Sequence, residues 1–217
     1  MGYPVRVKAN DQAPEERDEA RDAAIDRVLE SASSVEVSGD DAISRIHAAV
    51  AIVHATTGEG SVLLVRRREH PEDPWSGHWC FPGGRRHAAD ADPCETALRE
   101  LAEECGIDLP RTALEKALPV GTAGPRAHHV VVAPFVFRVE RAIDVMPREE
   151  ELAEARWVSI SDFHDATRHG LRSVPGQPTD RKVPSFDLPP TPLWGFTYAL
   201  LCDWLRCGPP HLGRPAR

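Results

Sequence analysis

Residues 92–107, DPCETALRELAEECGI, constrain this chain more than any other stretch, because both ends of a helix are written into them. Asp92 is an N-cap residue, Pro93 suits the first helical position, and Glu95 sits three residues after the cap, an Asp version of the capping box. Gly106 stands where a left-handed residue closes a helix. Between these signals Ala97, Leu98, Leu101 and Cys105 form an apolar stripe that must lie against a core. Glu100, Glu103 and Glu104, at i, i+3 and i+4, share one face.

Like charges at that spacing repel by about 0.2–0.5 kcal/mol per pair on an exposed helix. On the helix alone two readings stand. One is a solvated acidic face, with Arg99 and Glu103 as an i, i+4 ion pair. The other is a hard-cation site, because magnesium takes carboxylate oxygens together with phosphates and water. Upstream, Phe81-Pro82-Gly83-Gly84-Arg85 lies between a strand and this helix. Paired glycines let the backbone approach another group closely and turn N–H groups towards phosphate oxygens, which favours the second reading.

Residues 47–54 and 61–67 are β-prone and flank the turn 56–60, so they predict a hairpin. Residues 128–138 predict a long strand, with Pro134 marking a bulge or an edge. Residues 156–160 predict another strand, Ser161-Asp162 a short helix, and 194–206 a closing amphipathic helix containing Trp194 and Trp204 as core residues. Residues 170–193, rich in Gly, Pro, Asp and Arg, read as an excursion over the surface. Ahead of the core, 14–32 has the stripe of an accessory helix and 34–41 reads as a linker. Three segments follow: an extension over 1–43, a folded domain over 44–206 and a tail over 207–217. Several strands flanking a few helices, without regular βαβ alternation, give an α+β sandwich with a mixed sheet.

The formal charge of −8 argues against a nucleic-acid or anionic-membrane binder. No apolar run approaches the roughly 18 residues a membrane helix needs, and the N-terminus carries no secretory pattern. Five cysteines without a C-x-x-C pair suit reduced thiols in the cytoplasm. Among candidate substrate contacts, Arg66, Arg67 and Arg68 close a strand and Arg85 and Arg86 adjoin the glycines; His87, His128 and His129 read as loop and strand-entry residues. Trp75 and Trp79 fit either stacking on a base or the core.

Arg99-Glu100-Leu101, Glu103-Glu104 and Gly106-Ile107 match the second half of the signature G-x5-E-x7-R-E-U-x-E-E-x-G-U, and the chain resembles the Nudix hydrolase superfamily. Counted back from Arg99, the signature glutamate falls on Ala91 and the glycine on Arg85, so the loop is rearranged or longer by a residue, with Asp90 and Asp92 the nearest acids. LLVRR, PWSGHWCFPGG, APFVF, ELAEARWV and WGFT make the resemblance closest to the coenzyme A pyrophosphatase-like branch, over residues 44–206. Where that branch carries an acid after PGG-x-x, this chain carries His87.

The resemblance implies a Nudix-type α/β/α sandwich and hydrolysis of a diphosphate linkage in coenzyme A or another nucleoside-diphosphate-linked metabolite. It implies Mg2+, with Mn2+ as a substitute, held by Glu103, Glu104 and Glu100, the last as ligand or base. Arg99 would orient a glutamate, Gly83 and Gly84 would shape the loop, Arg85 and Arg66 would contact substrate, and Glu151 would supply a further acid. It also implies a homodimer, with no segment locating an interface. The alternative is a non-catalytic Nudix-fold module that binds a nucleotide or a protein.

Overall fold

The computed structural model describes residues 45–71, 73, 75–124, 130–175 and 182–208; the accessory helix expected over 14–32, the linker and the tail from 209 onward lie outside them, as do His128 and His129. Strand β1 (Ala48–Ala55) is central. It runs parallel to β7 (Val130–Val139) over all eight residues. On its other side β2 (Ser61–Arg67) pairs with it only at His54↔Val62 and Ala55↔Ser61, so the expected hairpin forms and then opens. β2 diverges to pair with β8 (Leu152–Ser159) and with the short β3 (Trp79–Cys80). The gap left beside β1 is filled by β4 (Gly83–Arg85), antiparallel, with Gly84 opposite Ala49. The mixed sheet of the expected α+β sandwich is therefore split at its centre, and that split positions the site.

Alternation along the strands sorts side chains onto two faces. Ala49, Ala51, Val53, Leu63, Val65, Phe135 and Phe137 pack with Cys94, Ala97, Leu101 and Cys105 of helix α1 (Pro93–Cys105). Ile52, Val62, Leu64, Val136 and Val158 face the opposite layer, which holds α2 (Ile160–His164) and α3 (Gly195–Leu205). Helices thus cover both faces of the sheet.

Three expectations are corrected. Pro134 marks neither an edge nor a bulge, because β7 is an interior strand. Its partner changes there, from β5 (Leu114–Ala117) to β6 (Gly121–Ala123), so the missing N–H falls where no ladder bond is needed. The described residues within 170–193 are not merely a surface excursion: β9 (His169–Arg172), β10 (Val183–Phe186) and β11 (Leu193–Trp194) form a second, three-stranded sheet. Phe186 and Leu193 are fully buried against the main sheet and Leu188 almost so. Trp194 and Trp204 are half-buried rather than core residues.

Phe186 packs 4.8 Å from the Phe163 ring, beneath the guanidinium of Arg168. Truncating a buried phenylalanine costs about 3–5 kcal/mol. Phe186→Ala should lower the unfolding free energy by that amount in urea titrations. A loss below 1 kcal/mol would return 170–193 to the status of a surface excursion.

Candidate active site

Helix α1 carries its signals as written. Asp92 accepts the Glu95 N–H at 2.9 Å, and Gly106, left-handed at φ 66°, donates to the Ala102 carbonyl. The Glu95 carboxylate reaches back one residue further than a capping box asks, to the Ala91 N–H at 2.6 Å. The loop preceding β8 binds the other end: Met146 N–H donates to Cys105 O and Arg148 N–H to Glu104 O, both at 2.9 Å, satisfying carbonyls a helix terminus leaves open. The helix is thereby held with its acidic face over β4.

β4 can lie between β1 and that face because Gly83 and Gly84 have no side chains. Gly83 sits at φ 154°, and a methyl group there would overlap the Ala49 carbonyl oxygen. A methyl at Gly84 would stand 2.5 Å from Glu100 Oε1. In return the Gly83 N–H donates to Glu104 Oε2 at 3.0 Å. Glu104 is 4% exposed, and burial pushes its carboxyl up to about 7, reinforced by the charges of Glu100 and Glu151 and opposed by the Gly83 N–H and Arg67. Glu100 is raised as well, chiefly by burial.

Arg99 organises the rest. Its Nε and Nη2 form a two-pronged bond to Asp90 at 3.0 and 3.1 Å, and Nη2 also donates to Arg85 O at 3.1 Å. Nη1 lies 2.9 Å from Glu100 Oε1 and 3.3 Å from Glu103 Oε2. Asp90 further accepts the His87 N–H and the Thr96 hydroxyl. Arg99 above all holds the Asp90 carboxyl well below the usual carboxylate range, helped by these two donors against burial.

Asp90 is the residue that counting back from Arg99 does not find. Counting forward does: five residues separate Gly84 from Asp90, the interval the signature sets, so the extra residue lies between Asp90 and Arg99. Arg66 pairs with Glu154 at 3.5 Å on the sheet face away from α1. It is Arg67, bonded to Asp73 at 2.7 Å, whose charge bears on Glu104. Arg85 is exposed, and His87 lies close enough to Glu100 for its charge to be felt. Trp79 belongs to the core, donating to Leu188 O at 3.1 Å, and Trp75 is exposed.

The donors gathered here are carboxylate oxygens, the set a hard divalent cation prefers. Asp90, Glu100, Glu103 and Glu104 outnumber Arg99, while Arg67 is committed to Asp73, so negative charge is in surplus. Among the described residues no three His, Cys, Asp or Glu side chains converge as a ready metal nest. Magnesium needs none, since it commonly takes one or two carboxylates and completes its shell with water and substrate phosphate. The residues fit such a cation.

Comparison with known proteins follows the same lines. A family model described as NUDIX domain matches residues 45–176. A Nudix hydrolase, NudL, of Yersinia enterocolitica is 35% identical over 49% of this chain and 53% of its own. The peroxisomal coenzyme A diphosphatase of Mus musculus is 29% identical over 47% of this chain and 41% of its own. An isopentenyl-diphosphate Delta-isomerase of Clavibacter sepedonicus is 30% identical over 54% and 61%. The chain spans between 32% and 61% of the length of the curated relatives it matches. The crystal structure of a MutT/nudix family protein from Enterococcus faecalis shares the fold, with a TM-score of 0.50 at 15% identity, over 90% of this chain and 73% of that one.

Asp90 is buried and Arg99 half-buried, and a hydrogen bond to a charged group is worth about 1.5–3 kcal/mol, so Asp90→Ala should be destabilised by that order at pH 7. Because the Asp90 carboxyl titrates lower in the fold than in the unfolded chain, its stabilisation is full above about pH 3.9 and declines by roughly 1 kcal/mol per pH unit below it. The gap between wild type and Asp90→Ala in urea unfolding should therefore narrow from pH 4 to pH 3. An unchanged gap would deny the pair its role.

Proposed function

The chain belongs to the Nudix family, and we propose that it is a divalent-metal-dependent pyrophosphohydrolase cleaving a diphosphate linkage in a nucleoside-diphosphate-linked metabolite, with coenzyme A the leading candidate. The observation that carries this reading is the Glu104 carboxylate fixed by the Gly83 N–H beside Glu100 and the Arg99–Asp90 pair. Glu100, Glu103 and Glu104 would hold Mg2+ or Mn2+. When bound, such an ion neutralises charge on phosphoryl oxygens and lowers the pKa of a water. The chain's own residues do the remainder. Arg99 and the Gly83 N–H fix the carboxylates before substrate arrives, so no reorganisation is spent at the moment of reaction. Glu100, raised by burial, is the group suited to take a proton. Arg85, exposed beside the glycines, and Arg67, on the α1 face, are the better-placed phosphate contacts.

Coenzyme A is favoured by the resemblance of LLVRR and PWSGHWCFPGG and by the mouse relative's name. A small soluble substrate in the cytoplasm suits a chain with five free thiols and, among its described residues, no helix long and apolar enough to cross a membrane. The isomerase relative supplies the competing chemistry, in which both phosphates stay on the substrate.

The test is a panel of coenzyme A, ADP-ribose, NADH, nucleoside triphosphates, diadenosine polyphosphates and isopentenyl diphosphate, with magnesium and with manganese. Cleavage at the diphosphate of one of the first five, lost in EDTA, is expected. Double-bond migration in the last without phosphate cleavage would replace the reading with isomerase chemistry, and no product from any would favour a binding module. Glu104→Gln, which keeps an acceptor for the Gly83 N–H, should lower kcat by at least about 100-fold with an unchanged melting curve. Wild-type turnover in saturating magnesium would remove Glu104 from the machinery.

A further inference from the structure

Helix α3 ends on Arg206, left-handed at φ 54° and ψ 38°, a conformation usually left to glycine. Just beyond it, the Cys207 N–H donates to the Cys202 carbonyl at 3.1 Å. This bond wraps the second residue past the helix end back over the last turn, and the two side chains it joins meet face to face. In most proteins that contact is apolar. Here it is a pair of thiols, both half-buried at the rim of the apolar cluster under α3. The chain then crosses close above them: a methyl group at Gly208 would lie 3.1 Å from Cys202 Sγ.

A chain of polar groups lies beside the pair. His169 Nε2 faces the Phe163 carbonyl at 2.8 Å, which only accepts, so Nε2 carries the ring proton. His169 Nδ1 then accepts the Tyr198 hydroxyl at 2.9 Å. The same hydroxyl lies against the Cys202 sulfur, to which Cys207 donates. Cys202 is held below the ordinary thiol value chiefly by the Cys207 donor, whereas burial pushes Cys80, Cys94 and Cys105 up to about 12.

We propose that Cys202 and Cys207 form a redox-active dithiol, a modification site that low-molecular-weight disulfides convert into an intramolecular Cys202–Cys207 disulfide. The Cys202 thiolate attacks one sulfur of the disulfide RSSR, forming a mixed disulfide and releasing RS−, which takes the proton Cys202 gave up. Cys207, as thiolate, then attacks the Cys202 sulfur and expels the second RS−, which takes the Cys207 proton. Two protein thiols are oxidised and one RSSR is reduced to two RSH. A disulfide needs Cα atoms about 4.4–6.8 Å apart and Cβ atoms about 3.5–4.5 Å apart, a demand suited to residues already joined by a backbone hydrogen bond and a thiol–thiol contact. The site lies on the sheet face opposite α1 and stands apart from the proposed hydrolysis.

The full chain, reduced and freed of reductant, is incubated with glutathione disulfide at neutral pH, acid-quenched, and read by intact mass and peptide mapping. Loss of two hydrogens with a Cys202–Cys207 cross-link, reversed by dithiothreitol while Cys80, Cys94 and Cys105 stay reduced, is expected. Cys207→Ser, whose hydroxyl still donates to Cys202, should instead accumulate one glutathione adduct at Cys202. The proposal is overturned if the wild type keeps a glutathione adduct without cross-linking, if cross-links join the other cysteines equally, or if folded Cys207→Ser carries no adduct at Cys202.

Discussion

The acidic end of α1 depends on one short bond, from the Gly83 N–H to Glu104 at 3.0 Å. For that bond to exist, β4 must enter the split between β1 and β2 and lie flat under the helix. Any side chain at Gly83 would meet the backbone of β1, and any at Gly84 the Glu100 carboxylate. The split in turn exists because β2 leaves β1 after two paired residues to follow β8. A sheet that stayed paired along its whole length would leave no backbone N–H free to face the helix. The site is therefore a consequence of a defect in the sheet, filled by residues small enough to use it.

Electrostatic balance explains why Arg99 and Asp90 accompany the glutamates. Three carboxylates on one helix face cost little in water but more when one is buried and a second half-buried, since repulsion strengthens as the dielectric falls. Arg99 reaches two of them and is itself locked by Asp90 and the Arg85 carbonyl. Two of the guanidinium's five N–H groups go to Asp90 and its single charge is shared among three carboxylates, so Glu100 and Glu103 are positioned by it without being fully neutralised. Glu104, out of its reach and buried, is pushed up to about 7. An ordinary ion-pair network would have cancelled this surplus. The uncancelled surplus is what the proposed cation would meet.

Legibility in the sequence followed the range of the interactions. Helix α1 was readable to the residue because Asp92, Pro93 and Gly106 act locally on φ, ψ and the nearest N–H groups. The buried strands over 47–54 and 61–67 were readable from their β-prone apolar runs. β9, β10 and β11 were not, because segments of two to four residues containing Gly170 and Pro184 carry too little periodicity to outweigh turn composition, and only burial against the main sheet makes them strands. Asp90 was hidden by a single inserted residue, which shifts a count made from the helix but not one made from Gly84. The choice of Arg66 over Arg67 met a related limit: strand period fixes that they face opposite ways, but not which face receives α1.

The two ends of the molecule are governed by different physics, and this decides how tests on them can be read. At α1, the fold gathers charge and leaves it uncancelled. At the end of α3, backbone geometry rules: a left-handed turn folds Cys207 onto Cys202 whatever the charge nearby. The full sheet separates them, with Ala49, Ala51 and Val53 of β1 packed towards α1 and Ile52 towards the other layer. Chelation of metal should consequently leave the thiols as they are, and oxidation should leave the glutamates as they are. A coupling between the two would have to pass through β1, whose buried residues fill both layers.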